Sequence, residues 1–525
     1  MLPAQCWGRR RTSISGSWSS PTYSLKVVVL LCLALLSAEA RKDVGKSAGK
    51  VAACAGKKIF VMDIGVFAKE AGMPSCNLAT DIKIDPMNGI PFLPDAWQVK
   101  HVEKGAPIAI AAHSGPWHLR QTIRGSAHHT TDMDEADIIY VYDHCYYMRW
   151  LAQVHSNGPK DQVTKSEGGE WLMKGYHALV KTERWKRNNG ADFVFFDPHP
   201  GFTDGTSDKA FKKLMCQTSK EAMHIVVERG QVNICPAYFD IHDKLLIAPY
   251  VAGSSDTSKP LLGFKAPVKP IKERKTFLYL TASCLPYFYA NANQTKVTGG
   301  KQFRHAVQLF LGNLSPDINL QCVDPTLGGH YTPFPQVLET MQDTVFCLMM
   351  PGDSASSRRT SEIFMAGCIP VFIGPPYATM PLGEAVNYKE AAYFFNITDH
   401  KFWFDSELLW ENPKDVRPYH VQTPWYWFPD SDVAGAMIKV KSLQAMLKYL
   451  RGIKEAELNK KLAALAVERF KFAYRHKLSS TETATSAIMS HMCAKYDAAP
   501  AGAAKAGKAA AAAEPEEEEE DEEER

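Results

Sequence analysis

The 525-residue sequence carries little net charge: 60 Lys and Arg against 57 Asp and Glu leave a formal +3. Nucleic-acid binders usually show a basic excess, so nucleic acid is not an expected partner. No Cys-x-x-Cys pair occurs among the twelve cysteines, which argues against a zinc ribbon. No Gly-x-x-x-x-Gly-Lys-[Ser/Thr] stretch occurs either, which argues against a P-loop transferase such as a sulfotransferase. The apolar run near the N-terminus, Val27 to Leu36, falls short of the roughly 20 residues that a bilayer span needs. Apolar material is not scarce, at 45% hydrophobic and 11% aromatic residues. That is enough for a large core, and at this length two domains are expected.

Arg9, Arg10 and Arg11 precede the Val27–Leu36 run, and Ser37-Ala38-Glu39-Ala40 follows it. A basic flank, a short apolar region and an Ala-x-Ala-like site are the layout of a secretory signal, either cleaved after Ala40 or kept as a signal anchor. Both readings put the bulk of the chain in a lumen. Ten cysteines, from Cys54 to Cys493, remain beyond this leader, and an oxidising lumen permits disulfides among them. Asn293, Asn313 and Asn396 begin Asn-x-Ser/Thr sites and are candidate glycosylation acceptors.

Residues 41–56 are small and basic and read as a stem. Residues 496–525 are Ala-rich and then acidic from Glu514 onward, a composition that predicts a disordered tail. Between them, strands are expected at Lys58–Met62, Ile138–Tyr142, Asp192–Phe196, Lys244–Ile247, Thr276–Leu280, Thr344–Met349 and Ile369–Ile373. Several of these runs are apolar without alternation, as in strands covered on both faces. Leu443, Met446, Leu447 and Leu450 repeat at helical spacing, as do Leu458, Leu462 and Leu465. Strand–helix alternation predicts parallel α/β layers. A Pro-, Ser- and Lys-rich stretch from Ser254 to Lys275 divides the strands into two groups. The expected organisation is therefore an N-terminal Rossmann-like domain over 57–255, a linker over 256–275 and a C-terminal Rossmann-like domain over 276–495, facing each other across a cleft.

The most informative stretch is Thr344–Pro376, which reads as strand, polar loop, helix, tight turn, strand. Its loop, with Gly352, Asp353 and Ser354, follows the carboxyl end of a strand, where ligands bind in open α/β sheets. It leads into a helix expected to begin near Ser357, whose N-terminus suits a phosphate. Arg358 and Arg359 oppose the dipole of that first turn, an arrangement that makes sense with an anion bound there, and guanidinium binds phosphate in bidentate fashion. Glu362, one turn on, can accept hydrogen bonds from two ribose hydroxyls, and Gly367 is a C-cap glycine. The bland alternative makes Arg358 and Glu362 an ordinary surface ion pair.

The phrase FCLMMPGDSASSRRTSEIFMAGCIPVFI resembles the signature of the exostosin family, glycosyltransferase family 47. KIFVMDI at 58–64, TDMDEADIIYVY at 131–142, NNGADFVFFDPHPGF at 188–202, KLLIAPY at 244–250 and FLYLTAS at 277–283 fall in that family's order. The resemblance covers about 57–430. It implies a GT-B-like α/β fold of two Rossmann-like domains and an inverting transfer from a nucleotide-sugar donor, UDP-linked, with no cofactor or metal required. It also implies that Glu362 holds the ribose, Arg358 or Arg359 the diphosphate, and Gly352, Asp353 and Ser354 the donor loop. Asp132-Met133-Asp134 falls inside an aligned segment and is not expected to bind metal.

An inverting transfer needs a base within hydrogen-bond reach of the acceptor hydroxyl. His199, Asp197 and Asp63 are the candidates, each standing after an expected strand. Here the chain departs from the family: Phe193 stands where a His is usual, and Pro200 interrupts the expected His-Asp pair. The expected partners are a nucleotide sugar and a glycan acceptor (a polysaccharide or a glycoprotein glycan), with a membrane anchor and a complex with another glycosyltransferase both open. The expected location is the luminal side of the Golgi apparatus, or outside the cell if secreted. The aromatics Trp425, Tyr426, Trp427 and Phe428 would stack on sugar rings or pack in a core. The alternative function is a catalytically silent glycan-binding or scaffolding partner of another transferase.

Overall fold

In a computed structural model, residues 54–74, 83–84, 91–92, 113–155, 167–198, 218, 220–227, 245–252, 267–284, 299–323, 332, 334–350, 356–373, 380–383, 385–398, 432–474 and 482–498 are described. All of them belong to one compact unit, 51–525. Twelve strands form two six-stranded sheets, six strands before the stretch 254–275 and six after it. The first sheet contains β1 (Ile59–Asp63), β2 (His129–Thr130), β3 (Ile138–Tyr142), β4 (Phe193–Asp197), β5 (Met223–Val226) and β6 (Leu245–Ile247), in the order β2-β1-β3-β4-β5-β6. The second contains β7 (Thr276–Ser283), β8 (Ile318–Val323), β9 (Thr344–Met349), β10 (Ile369–Ile373), β11 (Tyr393–Ile397) and β12 (Met437–Val440), in the order β8-β7-β9-β10-β11-β12. Every pairing in both sheets is parallel. A two-residue antiparallel ladder, Lys83–Ile84 with Pro91–Phe92, stands apart from them.

All seven strands expected from apolar runs are present, within a few residues of the expected bounds. In the first sheet, the side chains of successive residues go to opposite faces. Ile59, Val61, Tyr140, Tyr142, Val194 and Phe196 join one core. Met62, Ile139, Val141, Phe193 and Phe195 join the other, against α2 (His144–His155) and α3 (Glu167–Val180). Burial on both faces is why these strands read as unbroken apolar runs. Phe193 is wholly buried beside Trp185, with ring centroids 4.8 Å apart, so its ring is spent on packing.

The helices that position the site are α1 (Gly115–Arg124), α2 and α7 (Arg359–Ala366). The helical repeats near the C-terminus become α8 (Leu443–Arg451) and α9 (Glu455–Glu468), with the periodic leucines buried. The end of the stretch read as a linker is docked on the second sheet. Arg274, buried, donates to the carbonyls of Lys269, Thr344 and Gly367, and burial lowers its pKa to about 10. The last helix, α10 (Ala484–Ala498), packs on α1 and β6, and Cys493 within it is bonded to Cys54. Two further disulfides between described cysteines, Cys284–Cys322 and Cys347–Cys368, each join neighbouring parts of the second sheet. No helix among the described residues is long and apolar enough to cross a membrane.

Candidate functional site

Both sheets share one strand order, so both have a switch point between their first and third strands in sequence: β1 and β3 in one, β7 and β9 in the other. Chain connections leave in opposite directions there, which opens a crevice at the carboxyl ends of the strands. Of the residues singled out in the sequence, Asp63, Asp197, Arg358, Arg359 and Glu362 are described, and each stands at the carboxyl end of a strand or at the start of the helix that follows one.

In the second sheet, β9 ends at Met349 and α7 begins at Arg359. Arg358 is the cap residue, and the Ser357 hydroxyl before it accepts from the Arg359 N–H at 3.3 Å. Gly367 ends it with φ +76°, and the Cys368 N–H reaches back to the Ile363 carbonyl. That reverse turn is the C-cap read from the sequence. Gly352, Asp353 and Ser354 lie outside the described residues.

Glu362 is 1% exposed, which removes the reading of a surface ion pair. Arg358 Nε stands 2.7 Å from one carboxylate oxygen and Arg359 stands 2.6 Å from the other. Both contacts are close ion pairs, and beyond the two guanidiniums neither oxygen has a hydrogen-bond donor. The Ser361 hydroxyl beside it in sequence, also buried, lacks a partner too. Burial alone would push Glu362 up, but the charges of Arg359 and Arg358 outweigh it and hold the carboxyl below its ordinary range. The site is thus a buried anion clamped by two cations, with unspent hydrogen-bonding capacity.

Across from it, the first sheet offers a polar cluster. Asp63 ends β1 and caps a short 3-10 turn, accepting from the Gly65 N–H at 3.0 Å. Burial raises its pKa, countered by that hydrogen bond and by Arg120 and Arg124. Asp143 and His144 follow β3 directly. Asp143 accepts a short hydrogen bond from Tyr176, and burial raises its pKa to about 7. His144 is fully buried with no hydrogen-bond partner on either ring nitrogen, and burial lowers its pKa to about 3. Arg120 lies over the Tyr142 ring, 4.8 Å from its centroid. Asp197 ends β4, buried, with the Tyr147 hydroxyl 3.5 Å away. The next residue, Pro198, offers its carbonyl to His113 Nδ1 at 2.6 Å. His199 lies outside the described residues, as do Trp425, Tyr426, Trp427 and Phe428.

One hydrogen bond joins the two crevices. His113 meets Tyr250 edge-on, with centroids 5.6 Å apart, and the Tyr250 hydroxyl is 2.9 Å from Ser356 Oγ, two residues before Arg358. The end of β4 and the entrance to α7 are therefore two side chains apart, His113 and Tyr250. Asp132 and Asp134 are occupied otherwise: Asp132 accepts from the Asp134 N–H, and Asp134 pairs with Arg187. Among the described residues, no cluster of three or more His, Cys, Asp or Glu is arranged to hold a metal.

Sequence reasoning named Asp63, Asp197, Arg358, Arg359 and Glu362 here and missed His113, Asp143, His144 and Tyr250. Asp143-His144 had one available signal, since it follows an expected strand as Asp63 and Asp197 do. His113 and Tyr250 had none, because only the fold brings them to Pro198 and Ser356.

The family model described as the Exostosin GT47 domain matches residues 53–402, more than half of the chain. Over 319 residues, covering 58% of this chain and 66% of the relative, it is 23% identical to "Probable glucuronosyltransferase" of Oryza sativa subsp. japonica. It is 24% identical over 346 residues to a "Probable xyloglucan galactosyltransferase" of Arabidopsis thaliana, covering 62% of this chain and 53% of the relative. A shorter match, 27% over 95 residues, is to Exostosin-2 of Bos taurus, 18% of this chain and 12% of that one. The chain spans less than two thirds of the length of each of these relatives.

Proposed function

The chain belongs to the exostosin GT47 family, a glycosyltransferase family, and from that premise we propose that it transfers a sugar, with inversion, from a UDP-linked donor onto a polysaccharide or glycoprotein glycan in the secretory lumen. The observation that carries this reading is the clamp at the start of α7: a buried Glu362 between Arg358 and Arg359, at a switch-point crevice.

In this reading donor binding is an exchange of partners. The diphosphate draws the two guanidiniums outward, where each is already part exposed, at 30% and 21%. Two ribose hydroxyls then donate to the Glu362 oxygens that the guanidiniums release. The guanidiniums and the N-terminus of α7 neutralise the leaving diphosphate, so no metal is required for that task. The acceptor lies against the first sheet, and its hydroxyl proton passes to the Asp197–His113 end of β4. Disulfides between described cysteines support a luminal environment. Names given to relatives support a glycan acceptor of the plant cell-wall type, xyloglucan among them.

The test is thermal-shift titration of the full chain with nucleotides and nucleotide sugars, with and without divalent metal. UDP is expected to raise Tm, and saturation at a hundred times Kd corresponds to about 2.7 kcal/mol. Glu362→Gln is expected to lose that shift. Asp197→Asn and His113→Asn are expected to keep it and lose sugar transfer. A chain that responds to no nucleotide would overturn the donor reading and favour a scaffolding role.

A further inference from the structure

Two of the three Asn-x-Ser/Thr sites lie among the described residues, and the fold puts them in opposite surroundings. Asn396 is the fourth residue of β11, an interior strand. It is half-buried and stands in register with Lys439 of β12, while β10 pairs along the other edge. The third residue of its site, Thr398, gives both its N–H and its hydroxyl to the Val440 carbonyl, at 2.8 and 3.2 Å. A bulky saccharide on such a residue meets a half-buried side chain flanked by a paired strand, with less room than at a free turn, although Lys439 beside it is exposed.

Asn313 is exposed, in the turn after α5 (Gly299–Leu311). Its surroundings are apolar. Leu309 is 68% exposed, Phe310 42% and Leu314 53%, half of the six large apolar side chains that are exposed among the described residues. A single exposed leucine needs no explanation, but three within six residues of one helix end form a patch. An N-linked saccharide is bulky, solubilising and confined to the surface. It fits this position in both respects, and Leu314 is itself the central residue of the site.

We propose that Asn313 is N-glycosylated, that its saccharide covers the apolar end of α5, and that Asn396 is left unmodified. The co-substrate is a lipid-diphosphate-linked oligosaccharide. The Asn313 amide nitrogen attacks C1 of that oligosaccharide, forming the N–C1 bond. The C1–O bond breaks, the lipid diphosphate leaves with its electron pair, and the amide gives up one proton. This rests on the luminal reading above, and the experiment separates the two.

The full chain, carrying an added reporter Asn-x-Thr site after Arg525, is expressed in a secretory eukaryotic cell. It is then treated with peptide N-glycosidase in heavy-oxygen water and mapped by mass spectrometry. The expected result is labelled deamidation at the reporter and at Asn313 but not at Asn396, with the Asn313 signal lost in Ser315→Ala and kept in Ser315→Thr. A labelled reporter with unlabelled Asn313 overturns the proposal and leaves the luminal reading standing. An unlabelled reporter together with unlabelled Asn313 overturns both. Labelled Asn396 in soluble protein overturns the argument from strand burial. For the covering role, Asn313→Gln is expected to lower soluble yield, and Leu309→Glu with Leu314→Glu to restore it. An unchanged yield in Asn313→Gln overturns that role.

Discussion

With 1% of its surface reaching solvent, the Glu362 carboxylate has two guanidiniums in place of water. Glu362→Gln keeps the volume and removes the charge, so both guanidiniums lose the carboxylate they clamp. Breaking a fully buried pair costs about 3–5 kcal/mol, and the partial exposure of both arginines brings the expected loss to about 1–3 kcal/mol. Urea unfolding measures that loss separately from the loss of the UDP shift. Asp143 and His144, neighbours in the chain, make a prediction in pH. Folded Asp143 holds its proton to about pH 7, against 3.8 for the ordinary side chain. Its contribution to stability is therefore full below about 3.8 and lost as pH rises toward 7. Folded His144 stays neutral down to about pH 3, against 6.5 ordinarily, so its contribution grows as pH rises from about 3 to 6.5. The two slopes oppose each other across the shared window. Asp143→Asn is expected to leave a Tm that climbs from pH 4 to 6.5, and His144→Gln a Tm that falls from pH 4 to 7, read by scanning fluorimetry across pH. Arg358, Arg359 and Glu362 were legible as a group because one helical turn joins them. The cluster of His113, Asp143, His144 and Asp197 was not, since its members come from different strands and a helix start, and sequence order does not encode their meeting.

Among elements, α7 depends on how it stops. Gly367 has φ +76°, and a Cβ there would stand 3.1 Å from both methyl carbons of Val268, in the segment that Arg274 pins to the second sheet. Gly367→Ala pays a left-handed backbone cost of about 1–2 kcal/mol and adds the close contact with Val268. Chemical denaturation is expected to show a loss of at least that size. Pairing it with Val268→Ala should recover the steric part only. The strands that could be read in advance, such as β3, β9 and β10, are buried at every residue and carry no polar interruption. Those not anticipated have physical reasons for silence. β2 is two residues long, and β5 contains His224. β8 and β12 lie at the edges of the second sheet, where Gln321 and Lys439 are exposed and break the apolar run. β11, with the sequence YFFNI, is as long as β3 and β10 and differs from them in the polar Asn396 near its end.

At the scale of the whole molecule, three hydrogen bonds and one disulfide are among the contacts that tie its two halves together. Tyr250 bonds Ser356, Tyr474 donates to the Pro249 carbonyl at 2.6 Å, and the Leu382 N–H donates to the Ile247 carbonyl at 2.7 Å. The fourth is covalent, Cys54 to Cys493, fixing α10 beside α1. Removing both cysteines by Cys54→Ser with Cys493→Ser is expected to cost about 2–5 kcal/mol, measured by calorimetry against the parent chain. The same bond gives the protein a topology that its linear sequence hides. From residue 54 to residue 493 the backbone and the sulfur bridge close a ring, so a single peptide-bond cut anywhere within that span opens the ring without dividing the molecule. A protein nicked once between the sheets would migrate as one species until a reductant is added, and only then separate into two fragments.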